Sequence, residues 1–387
     1  MKKVTMFVWN NFVNDARVLR EASALADLNY TVTIIAKKEL SEMHLPSSEK
    51  IRKGVVVNRP LKLEFPEKIT DKIKSSVITK HIPNMLLMFK MIMLGRKYNT
   101  DVYHAHDLNT LIQGIVSAKL RIKRKKLIYD SHEVQTSRTH YNFEKIYRIE
   151  KLLLKFVDKV IVENDTRADY HNDLYSKRPT PIHNYSELYN IEEVTAFPLR
   201  ETYNISRNTK IVLYQGGMQE GRGLFKLLEA FSNVENAVLF MIGDGKERQN
   251  LLAYHEELGL ENKVIFIERV PYRDLRKYTK AADIGIQFLE NTNFNHYSAS
   301  SNKLFEYIMA HVPVIGSKLP EIKQVIENEN VGLTVEEGNT EELTSVLNKL
   351  LNDDQLRLSL RKNTESAKYK YNWENEKKVL KELYTEF

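Results

Sequence analysis

Residues Asn293–Ser317 read N-F-N-H-Y-S-A-S-S-N-K-L-F-E-Y-I-M-A-H-V-P-V-I-G-S. A polar, serine-rich loop runs into a short helix over about 302–310, and the β-type run Val312–Ile315 follows. At about 100° per residue, Leu304, Phe305, Ile308 and Met309 share one arc. Asn302, Lys303, Glu306 and Tyr307 share the other. The apolar arc is suited to packing on a sheet. The polar arc lies just inside a helix N-terminus, where unpaired N–H groups and the dipole favour an anion. A lysine there can neutralise a phosphate, and a glutamate one turn later can accept from sugar hydroxyls. A solvated helix face would show the same arc, so its neighbours must decide.

Working outward, the second half alternates strands and helices. Lys210–Gln215, Ala237–Ile242, Lys263–Ile267, Ile284–Leu289, Val312–Ile315 and Gly332–Val335 are the predicted strands. The first half repeats the scheme with Val4–Trp9, Tyr30–Ala36, Val55–Asn58, Asp101–His106, Lys126–Ser131 and Lys159–Glu163. Continuous apolar strands between helices imply parallel α/β sheets covered on both faces. The expected fold class is α/β with two Rossmann-like doubly wound domains, 1–185 and 210–372. Residues 186–209 lack periodicity and are expected as a linker. Such sheets bind ligands at the carboxyl ends of their strands, so a cleft between the domains is expected.

Length and composition fit this picture. A chain of 387 residues exceeds one ordinary core. There is no cysteine, which excludes disulfides and thiolate metal sites and fits a reducing compartment. The start M-K-K-V-T-M-F-V-W is too short in its apolar part for a signal sequence and is read as a strand. No run is long enough to span a membrane. Met1–Tyr185 holds 33 Lys+Arg against 20 Asp+Glu, and the remainder 25 against 31. A basic first half beside an acidic second half implies different partners for the two domains.

Candidate chemistry clusters at strand ends. Tyr214–Gly223 (Y-Q-G-G-M-Q-E-G-R-G) follows one strand, so glycines allow close approach to a phosphate and Arg222 can pair with it. A tight turn with an exposed arginine would read the same. Gly243-Asp244-Gly245 ends the next strand, and Phe266–Tyr272 (F-I-E-R-V-P-Y), containing Arg269, offers backbone to a nucleobase. In the first half, D-V-Y-H-A-H-D (101–107) places His104 and His106 on one side of a strand. Asp107 is expected to cap the following helix. Asn10–Arg17 and Asp130–Glu133 close two more strands. No metal site with zinc-like spacing occurs, and no G-x-S-x-G, P-loop or H-E-x-x-H is present.

In this order the motifs resemble a retaining GT-B glycosyltransferase of the kind grouped in glycosyltransferase family 4, or group 1. They are N-N-F-V-N-D-A-R-V-L-R-E-A, D-V-Y-H-A-H-D, Y-D-S-H-E, Y-Q-G-G-x4-R-G, I-G-D-G, A-A-D-I-G-I and N-K-L-F-E-Y-I-M-A-x-V-P-V-I. The resemblance covers nearly the whole chain and implies a GT-B fold that transfers a sugar, with retention, from a nucleotide-sugar. It implies His106 near the donor sugar, and Arg222 with Lys303 on the diphosphate. Glu306 is implied for the ribose. Gly216, Gly217, Gly243, Arg269, Ser298, Ser300, Ser301 and Asn302 are expected around the donor, and Asn11, Asn14, Asp15 and His132 on the acceptor side. The final helix, about 373–387, is expected to return to the first domain. Departures from the family pattern are Ser298 in place of a glutamate, Gly217 in place of an arginine, and His311 in a usually small turn.

The expected reaction needs no metal and no resident cofactor, because cations and helix amides stabilise the leaving diphosphate. The expected donor is a UDP-sugar, with UDP as product. The acceptor is expected to be a glycan, a lipid-linked sugar or a cell-surface polymer. A non-catalytic nucleotide-sugar binder or partner subunit, and a nucleotide-sugar epimerase, are the alternatives. The basic run Arg121–Lys126 lacks interleaved aromatics, so nucleic acid is not an expected partner. Thr70–Tyr98 holds the apolar stretch P-N-M-L-L-M-F-K-M-I-M-L-G-R-K. It is either a core helix or an interfacial one. With the basic first half it motivates an expected cytoplasmic location, peripheral at the inner face of an anionic membrane.

Overall fold

Strands β1 (Lys3–Phe7), β2 (Thr31–Ile35), β3 (Ser48–Arg52), β4 (Val55–Asn58), β5 (Val102–His106), β6 (Lys126–Ser131), β7 (Lys159–Val162) and β8 (Thr180–Pro181) form one sheet. Strands β9 (Lys210–Gln215), β10 (Ala237–Ile242), β11 (Val264–Ile267), β12 (Ile284–Gln287), β13 (Val314–Ser317) and β14 (Gly332–Val335) form another. The computed structural model describes residues 2–63, 77–138 and 141–387, so Thr70–Ser76 of the apolar segment lies outside the described residues. Two units result, Met1–Ile182 with Lys377–Phe387, and His183–Glu376.

The first sheet has the order β3-β4-β2-β1-β5-β6-β7-β8 and is parallel except for β3, which runs antiparallel to β4 at the edge. Strand β3 (S-E-K-I-R) is too charged to signal itself in the sequence, and its neighbour β4 supplies the buried side. Chain order reverses between β1 and β5, so the loops after them, from Val8 and from Asp107, diverge at this sheet's carboxyl edge. Phe7, Leu87, Met91, Tyr103, Leu111 and Tyr129 belong to one core of this unit.

The second sheet, β11-β10-β9-β12-β13-β14, is wholly parallel. Its reversal falls between β9 and β12. Ile211 and Leu213 join the core on one face, and Val212 and Tyr214 the core on the other. Period-two alternation therefore buries both faces. Residues 186–209 are built into this unit: Ile191 and Leu199 are buried in its core, within a 3-10 turn and a short helix. Irregular backbone can bury side chains without any periodicity to announce it.

The final helix Trp373–Thr385 begins in the second unit and continues, from Lys377, in the first. There Leu380, Leu383 and Tyr384 are buried, and Lys377 pairs with Asp27 at 3.0 Å.

Candidate functional site

In the second unit, the loops after β9 and β10 interlock through glycines. Gly216 N–H donates to Ile242 O, Met218 N–H to Asp244 O, and Glu247 N–H to Met218 O, at 2.9–3.0 Å. Gly243 has φ +150°, and a Cβ there would stand 1.9 Å from Gly216 O. The approach admits only glycine. Across Gly216 lies Lys303, whose Cε would be 3.3 Å from a Cβ at that position.

Lys303 is buried, with Nζ 4.0 Å from the centre of the Tyr214 ring. Among the described residues no carboxylate pairs with it. Burial, and then the charge of Arg222, hold its ammonium well below the usual lysine range, against a smaller opposing pull from Glu306. The Arg222 side chain makes no hydrogen bond or ion pair among the described residues, and its Nε is buried. Two mutually repelling cations, neither paired to a carboxylate among the described residues, suit an anion. The helix Asn302–Met309 opens beside them at Ser301, which makes no side-chain cap; the Leu304 amide donates to Ser301 O, which leaves the amides of Asn302 and Lys303 available.

Glu306, one turn into that helix, accepts from Gln215 Nε2, and Gln215 Oε1 accepts from Thr279 at 2.8 Å. Gln215 and Glu306 line a cavity of about 230 Å³. Ser186, Tyr189, Tyr272 and Arg276 line it as well, with the Arg276 guanidinium 5.6 Å from the Tyr189 ring centre. The cavity size and its aromatic and cationic lining suit a flat heterocycle.

In the first unit, parallel register sets His106 beside Asp130. His106 Nδ1 lies 3.3 Å from Asp130 Oδ2 and 3.0 Å from His132 Nε2. His104 stacks on His106 at 4.2 Å, as strand alternation requires, and its Nδ1 meets the Tyr384 hydroxyl at 2.9 Å. Arg17 binds both oxygens of Asp130 and reaches Glu21 at 3.2 Å. Burial would raise the Asp130 carboxyl, but Arg17, His132 and His106 hold it well below the usual range. Burial and Asp130 push Glu21 up to about 8. Glu21, His104, His106 and Asp130 each offer a ligand atom within 4.8 Å of the others. The Arg17 guanidinium, however, already supplies the cation at the two carboxylates. Asp107, expected as a cap, occupies the cap position at φ +63° without a side-chain cap bond. Its carboxylate instead accepts from His132 N and Gln135 Nε2, both at 3.1 Å.

Residues 197–367 match the family described as glycosyl transferases group 1. The chain is 23% identical over 309 residues to a D-inositol 3-phosphate glycosyltransferase of Corynebacterium urealyticum, covering 73% of this chain and 71% of that one. It superposes on sucrose-phosphate synthase from Thermosynechococcus elongatus with TM-score 0.78 at 18% identity, covering 100% and 99% of the two chains. HepE from Anabaena, solved in complex with UDP-glucose, gives 0.75 at 16% identity with both chains fully covered. These likenesses show the GT-B fold.

Within this fold, Arg222, Lys303, Glu306, Gly216 and Gly243 lie together at the second sheet's carboxyl edge, and Gly217 and Arg269 are exposed on loops after β9 and β11. Ser300 is buried before Ser301 and Asn302 at the helix start. Ser298 is wholly buried, and its hydroxyl donates to Phe294 O at 2.7 Å rather than facing the loop surface. In the first unit His106 and His132 are in contact. Asp15 caps the first helix through Val18 N, Asn11 donates to Glu42 Oε1 at 2.6 Å, and Asn14 is exposed. Sequence reasoning passed over Arg17, Glu21 and Asp130. Their signal was the i, i+4 spacing of Arg17 and Glu21, and the parallel register that sets Asp130 against His106.

Proposed function

We propose that this glycosyltransferase moves a hexose from a UDP-sugar, with retained anomeric configuration and without a metal ion, to a glycan, lipid-linked or polymer acceptor. The observation that carries the reading is the pair Arg222 and Lys303, half-buried and buried beside a glycine nest, with no carboxylate paired to either among the described residues. A diphosphate supplies the missing charge, and the first-turn amides of the Asn302 helix add donors to it. Glu306 accepts from the ribose, and the cavity between Tyr189 and Tyr272 takes the base. The complex of HepE with UDP-glucose supports uridine as that base.

As the glycosidic bond breaks, charge grows on the leaving phosphate while the sugar becomes oxocarbenium-like. Arg222 and Lys303 meet that charge, and the phosphate oxygen assists removal of the acceptor proton. His106 is assigned to the sugar's hydroxyls. Calorimetry with UDP, GDP and ADP tests the donor assignment, with UDP expected tightest. Arg222→Ala and Lys303→Ala are each expected to weaken UDP binding by roughly 10- to 100-fold, the worth of a charged hydrogen bond. Wild-type affinity in both variants would overturn the reading. Nucleotide bound without turnover would mark a binding protein, and an epimer formed without acceptor would mark an epimerase.

The acceptor assignment draws on the helix Val77–Lys97. Leu87, Met91 and Ile92 face the core, while Met85, Leu86, Phe89 and Met93 are exposed on the other side. Its end joins, through Arg96 to Leu120 O, a loop with exposed Leu120 and Ile122 flanked by Arg121, Lys123 and Arg124. Apolar side chains ringed by cations fit an anionic lipid surface.

A further inference from the structure

The neutral His106 ring carries one proton on two nitrogens, and its behaviour toward a sugar depends on which nitrogen holds it. Three polar atoms meet at Nδ1. His132 Nε2 is 3.0 Å away, Asp130 Oδ2 is 3.3 Å away, and these two are 3.2 Å from each other. The nitrogen–nitrogen contact accommodates one proton, since two would collide and none would oppose two lone pairs. The surroundings decide which ring supplies it. The His132 side chain is 22% exposed and lies near two carboxylates, Asp130 and Asp107. The His106 side chain is 2% exposed and stacked on His104. Positive charge is more stable on the solvated ring between two anions than on the buried one.

We propose that His132 is a positioning residue for sugar transfer: its Nε2–H donates into the His106–Asp130 pair, which makes His106 Nδ1 an acceptor and fixes the His106 proton on Nε2. His106 Nε2 is buried and has no hydrogen-bond partner among the described residues. It is therefore a donor with no protein acceptor among the described residues, and a sugar hydroxyl is the acceptor assigned to it here. A base at this position is excluded by the same tautomer, which leaves the acceptor proton to the departing phosphate. The role toward the sugar rests on the function proposed above, whereas the tautomer does not.

The charged groups facing this cluster are Asp130 and Glu21, with Arg17 paired to both, then Asp107, and Arg167, which binds His132 O and pairs with Glu163. Burial lowers His132, but Asp130 and Asp107 outweigh it and raise the imidazole to about 9. Burial holds His106 below the ordinary value, against the pull of Asp130. His132 thus stays protonated at neutral pH and loses its proton as pH rises through about 9.

The test is long-range proton–nitrogen correlation on full-length protein carrying nitrogen-15 histidine, with His106 assigned through the signal lost in His106→Gln. The expected spectrum has His106 neutral with its proton on Nε2, and His132 doubly protonated at pH 7. In His132→Phe the His106 proton is expected to move to Nδ1, where Asp130 accepts it. A packing role alone would not shift it. With a nucleotide-sugar substrate, His132→Phe should lower kcat by roughly tenfold or more with a smaller change in KM. His132→Gln, whose amide donates in the same place, should keep the Nε2 tautomer and retain more of kcat than His132→Phe. A wild-type His106 protonated on Nδ1, or a His106 proton that stays on Nε2 in His132→Phe, overturns the proposal. The expected tautomer in a protein that turns over no nucleotide-sugar would sustain the positioning and refute the function.

Discussion

Lys303 is the residue on which sequence and structure bear most closely. Its place one step inside a helix N-terminus was legible, because lysine there has few structural uses. Its burial was not, since only the fold brings Tyr214 and Arg222 around it. That burial has a measurable consequence. The ammonium is held down in the free protein by desolvation and by Arg222, and a bound diphosphate would reverse both effects. UDP binding is therefore expected to take up protons once the pH exceeds the lysine's lowered value, and affinity should fall as pH rises through it. Calorimetry in buffers of different ionisation enthalpy measures the uptake, and its absence in Lys303→Ala would assign it. At the same scale, Glu306→Gln should weaken UDP binding but not free pyrophosphate binding, because the ribose is its proposed partner.

At the scale of elements, the loops after β9 and β10 hold their shape through backbone contact rather than side chains. Gly243→Ala would place a methyl 1.9 Å from Gly216 O at φ +150°. A loss of roughly 1–3 kcal/mol is expected, checked by urea denaturation, along with weaker UDP binding as the nest opens. The helix Asn302–Met309 shows the limit of periodicity. Its polar arc was assigned Tyr307, yet Tyr307 is fully buried and donates to Leu213 O at 2.9 Å. Gly285 in β12 is the reason, because a Cβ there would lie 2.5 Å from the ring. The glycine of A-A-D-I-G-I therefore reads as space for a tyrosine from a distant helix. Gly285→Ala should destabilise the second unit by about 1–3 kcal/mol through overpacking. A neutral result in the same denaturation assay would refute that account.

For the whole molecule, the last helix ties chain end to chain start. Tyr384 meets both Tyr30 and His104, and Leu380 and Leu383 fill the first unit. Truncation after Glu376 removes several buried side chains of roughly 1.5–3 kcal/mol each. The expected outcome is loss of cooperative unfolding of the first unit, read by protease resistance of its fragments. No described helix is long and apolar enough to cross a membrane. Co-sedimentation with anionic vesicles at low salt is expected, and Phe89→Ser with Met93→Ser should abolish it. Recovery only in the supernatant for the wild-type chain would remove the lipid assignment.

Local chemistry is written in the chain itself. Apolar runs between helices make parallel strands, glycines at strand ends make close turns, and Arg222 and Glu306 stand where their motifs put them, at the ends of strands and the start of a helix. Charge balance between distant groups is not written there. Asp130, Arg17, Glu21 and Tyr384 reach the two histidines of β5 from four separate stretches, and only the parallel register and the returning helix assemble them. Sequence periodicity reports which side of an element is buried, whereas a histidine's protonation depends on which charges share its burial, and that is a property of the assembled fold.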